Sequence, residues 1–241
     1  TTNLETPLIP VGNTQMDVLT WTGDGVARSI RGLSFSPDLV WIKNRTQAYS
    51  HQLYDTVRGA GASYNLQSDT TLAQGSNASV YGSLGSFTSD GFTLDTGSSS
   101  NIWVNETGDE YVAWCWNAGT TTSLNTSGSV ASQVRANPLA GFSIVTATLG
   151  SNDQIGHGLG VTPSMVFAKS VSNTSGWYVQ MPDAMTASQT LFLNSSAAVG
   201  GDNIWWGLPT SSTLKFNSTN AVTAPSDWVF YCWSEVPGFS S

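Results

Sequence analysis

Carboxylates come first among the residues that could do chemistry, because two carboxyl groups at close range can hydrolyse a glycosidic bond. The segment NETGDE, residues 105–110, brings together Glu106, Asp109 and Glu110. It precedes the apolar run YVAWCW, and the corresponding place in the second half of the chain reads AVTAPSD. Since the carboxyl groups are not repeated there, we favour a solvated hairpin turn over a catalytic pair.

Histidine, serine and acidic turns add no second catalytic pattern. His51 and His157 stand at non-equivalent positions, and neither has a metal ligand at the usual spacing. The sequence contains no G-x-S-x-G nucleophile motif. Three acidic turns could offer oxygens to Ca²⁺, although Asp and Gly are also ordinary turn residues: Gly23-Asp24-Gly25, Ser89-Asp90-Gly91 and Gly201-Asp202-Asn203. We therefore predict no catalytic residue, no cofactor and no bound metal.

Tryptophan offers a binding chemistry instead. Trp205 and Trp206 lie in NIWWGL, which we predict to be a strand. Neighbours on a strand point to opposite faces, so one indole would lie in the core and the other outside it. An outward indole can stack on a sugar or fill a protein pocket, whereas burial of both against a neighbour is the alternative. We name Trp205 and Trp206 as the candidate glycan site.

The polar set in YSHQLYDTVRG also has no counterpart in the second half of the chain, which reads GWYVQMPDAM there. Within it, Arg58 follows Asp55 at a spacing of three residues. We expect the two side chains to form an ion pair that fixes the loop, with a ligand contact by Arg58 as the alternative.

Composition excludes several classes of function. The formal net charge is −8, the sequence has 8 Lys and Arg together, and 10% of its residues are charged, against about 25% in ordinary soluble proteins. Nucleic-acid binding needs clustered Lys and Arg, so we exclude it. No apolar run approaches the roughly 20 residues of a membrane-spanning helix, and TTNLETPLIP lacks the features of a signal peptide. We expect synthesis in a cytoplasm and no insertion into a membrane.

Short alternating segments run along most of the chain, including DVLTWTG, HQLYDTV, FSIVTAT and STLKFN. Gly, Ser, Asn and Asp separate them every 8–12 residues or so, and no window has helical periodicity. Such spacing is typical of a β-sandwich or jelly roll, so the fold class we predict is all-β. Cys115 and Cys232 lie inside apolar segments, where we expect buried free thiols.

Two blocks of sequence occur twice. GLSFSPDLVWIKNR at residues 32–45 returns as GLGVTPSMVFAKSV at 158–171, and YVAWCW returns as WVFYCW. This predicts a tandem duplication with two related units of β-sandwich or jelly-roll type. The boundaries we assign are an extended arm at 1–15, units at 16–119 and 141–241, and a linker at 120–140. That polar linker would be flexible, or a long loop packed between the units.

The N-terminal arm combines proline with apolar side chains and has no periodicity. Termini fray unless they are tied down, so an ordered arm would dock on its own domain or on a neighbouring subunit. We predict a neighbouring subunit, contacted through Leu4, Pro7, Leu8, Ile9, Pro10 and Val11.

The ordered motifs PDLVWIKNR, YSHQLYDTVRGA, SFTSDGFTL and YVAWCWNAG resemble a domain of structural proteins from tailed bacteriophages, especially marine and cyanobacterial ones. The segments IGHGLGVTPSMVFAKS and YCWSEVPGFSS resemble the tandem partner that follows it. The resemblance implies a lectin-like β-sandwich on the virion, among tail-fibre, appendage or capsid-decoration proteins. It implies no catalytic residue.

We therefore expect a non-enzymatic outer structural protein on the surface of a phage virion, as a capsid decoration or compact appendage. Its partners would be other virion proteins, capsid or tail subunits, and copies of itself in a homo-oligomer. The first alternative is a tail-fibre adhesin that recognises a host surface glycan. The second is an envelope polysaccharide depolymerase that uses Glu106, Asp109 or Glu110.

Overall fold

The computed structural model describes residue 9 and residues 11–240. In this part of the chain the fold is all-β with antiparallel sheets, as the sequence predicts. The chain divides into two compact units. The first unit is Asn13–Asn117, and the second is Ala118–Ser241 together with the N-terminal residues through Gly12. Among the described residues, no helix is long and apolar enough to cross a membrane.

The first unit consists of two antiparallel sheets. Its strands are β1 (Met16–Thr22), β2 (Arg28–Arg31), β3 (Leu39–Asn44), β4 (Gln52–Asp55), β5 (Leu66–Gln67), β6 (Ser83–Thr88), β7 (Gly91–Asp95) and β8 (Glu110–Trp116). The larger sheet has the order β1-β8-β3-β4-β5, and the smaller has the order β2-β7-β6. A short helix, α1 (Ala78–Tyr81), precedes β6.

The second unit has a wider main sheet. Its strands are β9 (Thr122–Asn125), β10 (Ser132–Asn137), β11 (Phe142–Leu149), β12 (Asp153–Gly156), β13 (Met165–Ser170), β14 (Trp177–Gln180), β15 (Gln189–Phe192), β16 (Gly200–Gly201), β17 (Thr213–Phe216) and β18 (Ser226–Trp233). The main sheet has the order β16-β15-β14-β13-β18-β11-β10-β9, and β12 pairs with β17. Three 3₁₀ turns complete the described elements, at Gly12–Thr14, Ala62–Tyr64 and Ser218–Asn220.

Each unit has its own hydrophobic core, built from alternate residues of its strands. Val40 and Cys115 lie opposite each other on β3 and β8, and both are buried. Val166 and Cys232 occupy the same arrangement on β13 and β18. The two thiols are free and buried, as expected for small apolar side chains in a core.

Residues 120–140 differ from the predicted linker, because they contain β9 and β10 within the main sheet of the second unit. In β10, Ser132 and Val134 are buried while Gln133 between them is exposed. The alternation is therefore present, but one of its buried positions is a Ser whose hydroxyl donates to the Gly156 carbonyl, 2.9 Å away. A search for alternating apolar residues does not detect such a strand, because one of its core positions is polar.

Candidate functional site

Three tryptophans lie on the face of the five-stranded sheet that points away from the core of the first unit. Val40 and Ile42 of β3 point into that core, so Trp41 between them points outward. Trp114 is opposite Trp41 in the β3–β8 register, and Trp116 lies on the same face two residues further along β8. The alternation of both strands thus places the indoles on one surface.

Together with His51, these indoles line a cavity of about 300 Å³, which we call the aromatic cavity (Trp41, His51, Trp114 and Trp116). The rings of Trp41 and Trp114 meet edge to face, with centroids 6.1 Å apart. The imidazole of His51 is tilted against Trp41 at 6.4 Å. His51 immediately precedes β4, and its backbone N–H donates to Asp69 Oδ1 at 3.1 Å.

Two nitrogens of the aromatic cavity are shielded from solvent without a hydrogen-bond partner in the described part of the chain. They are Nε1 of Trp41 and Nδ1 of His51. Burial lowers the pKa of His51; the charge of Asp69 opposes this shift and that of Lys43 adds to it. The imidazole is therefore neutral at pH 7, and all four side chains that line the cavity are uncharged.

The carboxyl groups of residues 105–110 hold the polypeptide in place. Each accepts a hydrogen bond from a neighbouring segment: Glu106 Oε2 from Asn101 N at 2.8 Å, Asp109 Oδ2 from Asn44 Nδ2 at 2.8 Å and Glu110 Oε1 from Thr22 Oγ1 at 2.7 Å. Asn105 is buried and donates to Asp24 Oδ1 at 2.7 Å. This bond is the main reason that the pKa of Asp24 is lowered. Glu106 and Asp109 therefore lie in the long loop between β7 and β8, and Glu110 begins β8. Because these two strands belong to different sheets, the loop is not the predicted hairpin turn.

His157 has a structural role in the second unit. Its Nδ1 accepts the backbone N–H of Leu159 at 3.3 Å, so the proton lies on Nε2, which is 3.1 Å from the carbonyl of Thr210. The ring is buried, and burial lowers its pKa. A neutral imidazole therefore ties the turn at residues 157–159 to the loop at Thr210.

The predicted pair Asp55–Arg58 is present, with Arg58 Nε 2.6 Å from Asp55 Oδ2. The three acidic turns also use their carboxylates internally: Asp24 with Arg28 at 3.1 Å, Asp90 with Arg31 at 2.8 Å and Asp202 with Thr190 at 2.8 Å. In the described residues, no group of three or more His, Cys, Asp and Glu side chains lies close enough to hold a metal ion.

Trp205 and Trp206, the glycan candidates from the sequence, have different environments. Trp205 is completely buried and packs edge to face on Phe216 at 4.9 Å, so it cannot stack on a sugar. The segment is not the predicted strand; Trp205 makes a single bridge to Phe216 after Asn203, which has a φ of 56°. Trp206 is 37% exposed, and Lys215 Nζ lies 5.6 Å from its ring centroid.

The described part of the N-terminal arm packs on its own chain. Ile9 is buried against Ala140, Val236 and Phe239, all within the second unit. This corrects the prediction that Ile9 contacts a neighbouring subunit, because the side chain is already covered. Val11 is 55% exposed. The other predicted arm contacts, Leu4, Pro7, Leu8 and Pro10, lie outside the described residues.

Sequence reasoning missed the aromatic cavity, although its signal was present. Trp41, Trp114 and Trp116 alternate with apolar residues in the blocks LVWIK and AWCW. An indole in such a run is readily assigned to the core, and only the pairing of β3 with β8 shows that the tryptophans share the outer face.

Comparison with known proteins gives a family but no function. No curated protein and no solved structure matches the chain. A family model described as a domain of unknown function, DUF7483, matches residues 13–241, which include both units. The chain therefore belongs to the DUF7483 family.

Proposed function

We propose that this chain is a non-enzymatic outer structural protein of a tailed phage virion that works by association with other virion proteins. The observation that carries the proposal is that the side chains with catalytic potential are engaged in structural hydrogen bonds. The carboxylates of Glu106, Asp109 and Glu110 and the imidazole of His157 all hold turns through hydrogen bonds. The assignment of the protein to a virion rests on the resemblance of the repeated motifs to phage structural proteins.

We further propose that the two units are related β-sandwiches. The order β1-β8-β3-β4-β5 corresponds to β11-β18-β13-β14-β15, and the pair β2-β7 corresponds to β12-β17. Matching contacts support this. Lys43 Nζ donates to the Tyr49 carbonyl at 2.6 Å, and Lys169 Nζ donates to the Ser175 carbonyl at 2.9 Å. Both carbonyls lie six residues after the lysine, so the repeated lysine ties down the same loop in each unit.

Quantitative mass spectrometry of purified particles tests the virion assignment. The chain is counted against the major capsid protein of a phage that encodes it, with a phage protein made only inside the host as the negative control. About one copy per capsid subunit identifies a decoration, and a few per cent identifies a tail appendage. Absence from purified particles contradicts the proposal. So does release of sugar from host envelopes by the purified protein that is lost in Glu106→Gln.

The second candidate is recognition of a host surface glycan, and the aromatic cavity specifically favours it. Apolar and aromatic walls with few polar atoms are typical of small-ligand sites. Binding of the purified chain to immobilised host polysaccharide, with polysaccharide from a non-host strain as the control, tests this candidate. Equal binding to both preparations contradicts host recognition.

A further inference from the structure

We propose that the aromatic cavity is a carbohydrate site that takes one pyranose ring of a neutral glycan. The inference rests on the second candidate function and names its site and ligand class. It moves the glycan site from Trp205 and Trp206 to the first unit, onto Trp41, His51, Trp114 and Trp116.

The size and walls of the cavity restrict the ligand. Its volume of about 300 Å³ is at the lower end of the range for small-molecule pockets, about 300–1,000 Å³. Trp41 and Trp114 meet edge to face, so their rings form two non-parallel walls. A pyranose has an apolar face of C–H groups and a rim of hydroxyls, which suits an indole face beside polar atoms.

The polar atoms of the cavity favour hydroxyl groups as partners. Trp41 Nε1 and His51 Nδ1 are buried, and neither has a hydrogen-bond partner among the residues that the structure describes, which costs free energy. A sugar hydroxyl is both donor and acceptor, so it can pair with either nitrogen. Because both atoms are shielded from solvent, the pairing requires a small turn of the indole or imidazole on binding. The geometry thus predicts that the ligand changes the environment of both side chains.

A quaternary ammonium ion is the competing ligand, since aromatic cages also bind such cations. It cannot accept a hydrogen bond from Trp41 Nε1, so that nitrogen would stay unpaired. Burial lowers the pKa of His51; the charge of Asp69 opposes this shift, and that of Lys43 adds to it to a smaller extent, so the nearby charges do not disfavour a cation. What favours a ligand with hydroxyl groups is therefore Trp41 Nε1, which has no hydrogen-bond partner among the described residues.

Binding is measured on the full chain by isothermal calorimetry and by the indole N–H signals in ¹⁵N NMR spectra. The probes are glucose, galactose, mannose and N-acetylglucosamine, short oligomers of each, and choline as the cationic alternative. We expect at least one sugar to bind and to shift the Trp41 indole signal. We expect Trp114→Ala and His51→Ala to weaken binding at least tenfold, and Val26→Ala, at an exposed loop position, to leave it unchanged.

The outcomes distinguish failure of the aromatic cavity as the binding site from failure of glycan recognition as the function. Sugar binding that survives both cavity variants and disappears in Trp206→Ala overturns the cavity and leaves glycan recognition standing. No binding of any sugar, together with no binding of host polysaccharide, overturns both. Binding of choline in place of sugar overturns the ligand class. If Trp114→Ala does not fold, the Trp41 signal of the unmodified chain decides, because a sugar that binds without shifting it is not in the cavity.

Discussion

At the scale of single residues, the ion pair of Asp55 and Arg58 is the most deeply buried charge contact described. Their side chains are 0% and 4% exposed. Asp55 Oδ1 also accepts the backbone N–H groups of Val57 and Arg58, and the guanidinium reaches the carbonyl of Tyr64 at 2.7 Å. The pair therefore joins the end of β4 to the loop that follows it.

We expect Arg58→Met to lower the free energy of unfolding by about 3–5 kcal/mol, because it leaves the Asp55 carboxylate buried without its counter-charge. The matched control is Arg31→Met, whose partner Asp90 and own side chain are 37% and 57% exposed. That pair contributes less than about 1 kcal/mol. Urea unfolding followed by tryptophan fluorescence measures both. Equal losses in the two variants would show that the buried charge is not what matters.

The pH dependence of stability follows from His157. Its folded-state pKa lies below the ordinary 6.5 because the ring is buried, so the unfolded chain binds the proton more tightly. The stability that His157 contributes is therefore complete well above pH 6.5 and is lost as the pH drops below that value. Protonation of Nδ1 also removes the acceptor for Leu159 N–H.

We expect the melting temperature to fall between pH 6.5 and 5, and to fall less steeply in His157→Gln. His157→Gln keeps part of the dependence of melting temperature on pH, because burial also lowers the pKa of His51. His51→Gln serves as the second arm, and the double variant should be nearly flat in this range. A double variant as pH-sensitive as the original chain would assign the effect to other groups.

At the scale of elements, the two cores place a large indole on different strands of corresponding strand pairs. Trp21 of β1 lies opposite Tyr111 of β8, and the rings stack at 5.4 Å. The corresponding pair on β11 and β18 is Ala147 and Trp228. The large indole has moved from one strand to its neighbour, and each finds an acceptor: Trp21 Nε1 the Val104 carbonyl at 3.1 Å, Trp228 Nε1 the Ser218 hydroxyl at 2.8 Å.

We expect Trp21→Ala to cost about 3–5 kcal/mol of unfolding free energy, because it leaves a cavity beside Tyr111 and Phe92. Val18→Ala on the same strand is the control, since Val18 is 41% exposed and surface changes stay within about 0.5 kcal/mol. Urea denaturation compares the two. Similar costs would mean that both faces of β1 are equally packed.

The strands themselves were predictable where apolar residues alternate with polar ones, as in β1 and β11. β10 was not, because Ser132 fills a core position and its hydroxyl needs a carbonyl partner that lies far away in the sequence. The aromatic cavity was not predictable for a different reason. The spacing of its tryptophans is visible in the sequence, but the register that sets Trp41 opposite Trp114 joins two distant strands and cannot be read from either one alone.

At the scale of the whole molecule, each unit carries one cysteine inside its own core. Cys115 lies in the cluster with Trp21 and Phe92, and Cys232 lies in the cluster with Trp228 and Phe216. Burial raises the pKa of the Cys115 thiol, and it raises that of Cys232 to about 12. Because the thiolate is the reactive form, neither residue reacts until its core opens, so each thiol reports on one unit.

We expect native protein at pH 8 to resist iodoacetamide at both thiols, and Trp21→Ala to accelerate labelling of Cys115 more than that of Cys232. The reason is that the void left by Trp21→Ala weakens only the core that contains Trp21, and the frequency of local opening depends on local stability. Each 1.4 kcal/mol lost from that core raises the open population about tenfold. Peptide mass spectrometry reads the two sites separately. The converse variant, Phe216→Ala, should favour Cys232, whereas equal acceleration of both thiols in both variants would mean that the two cores unfold in one step.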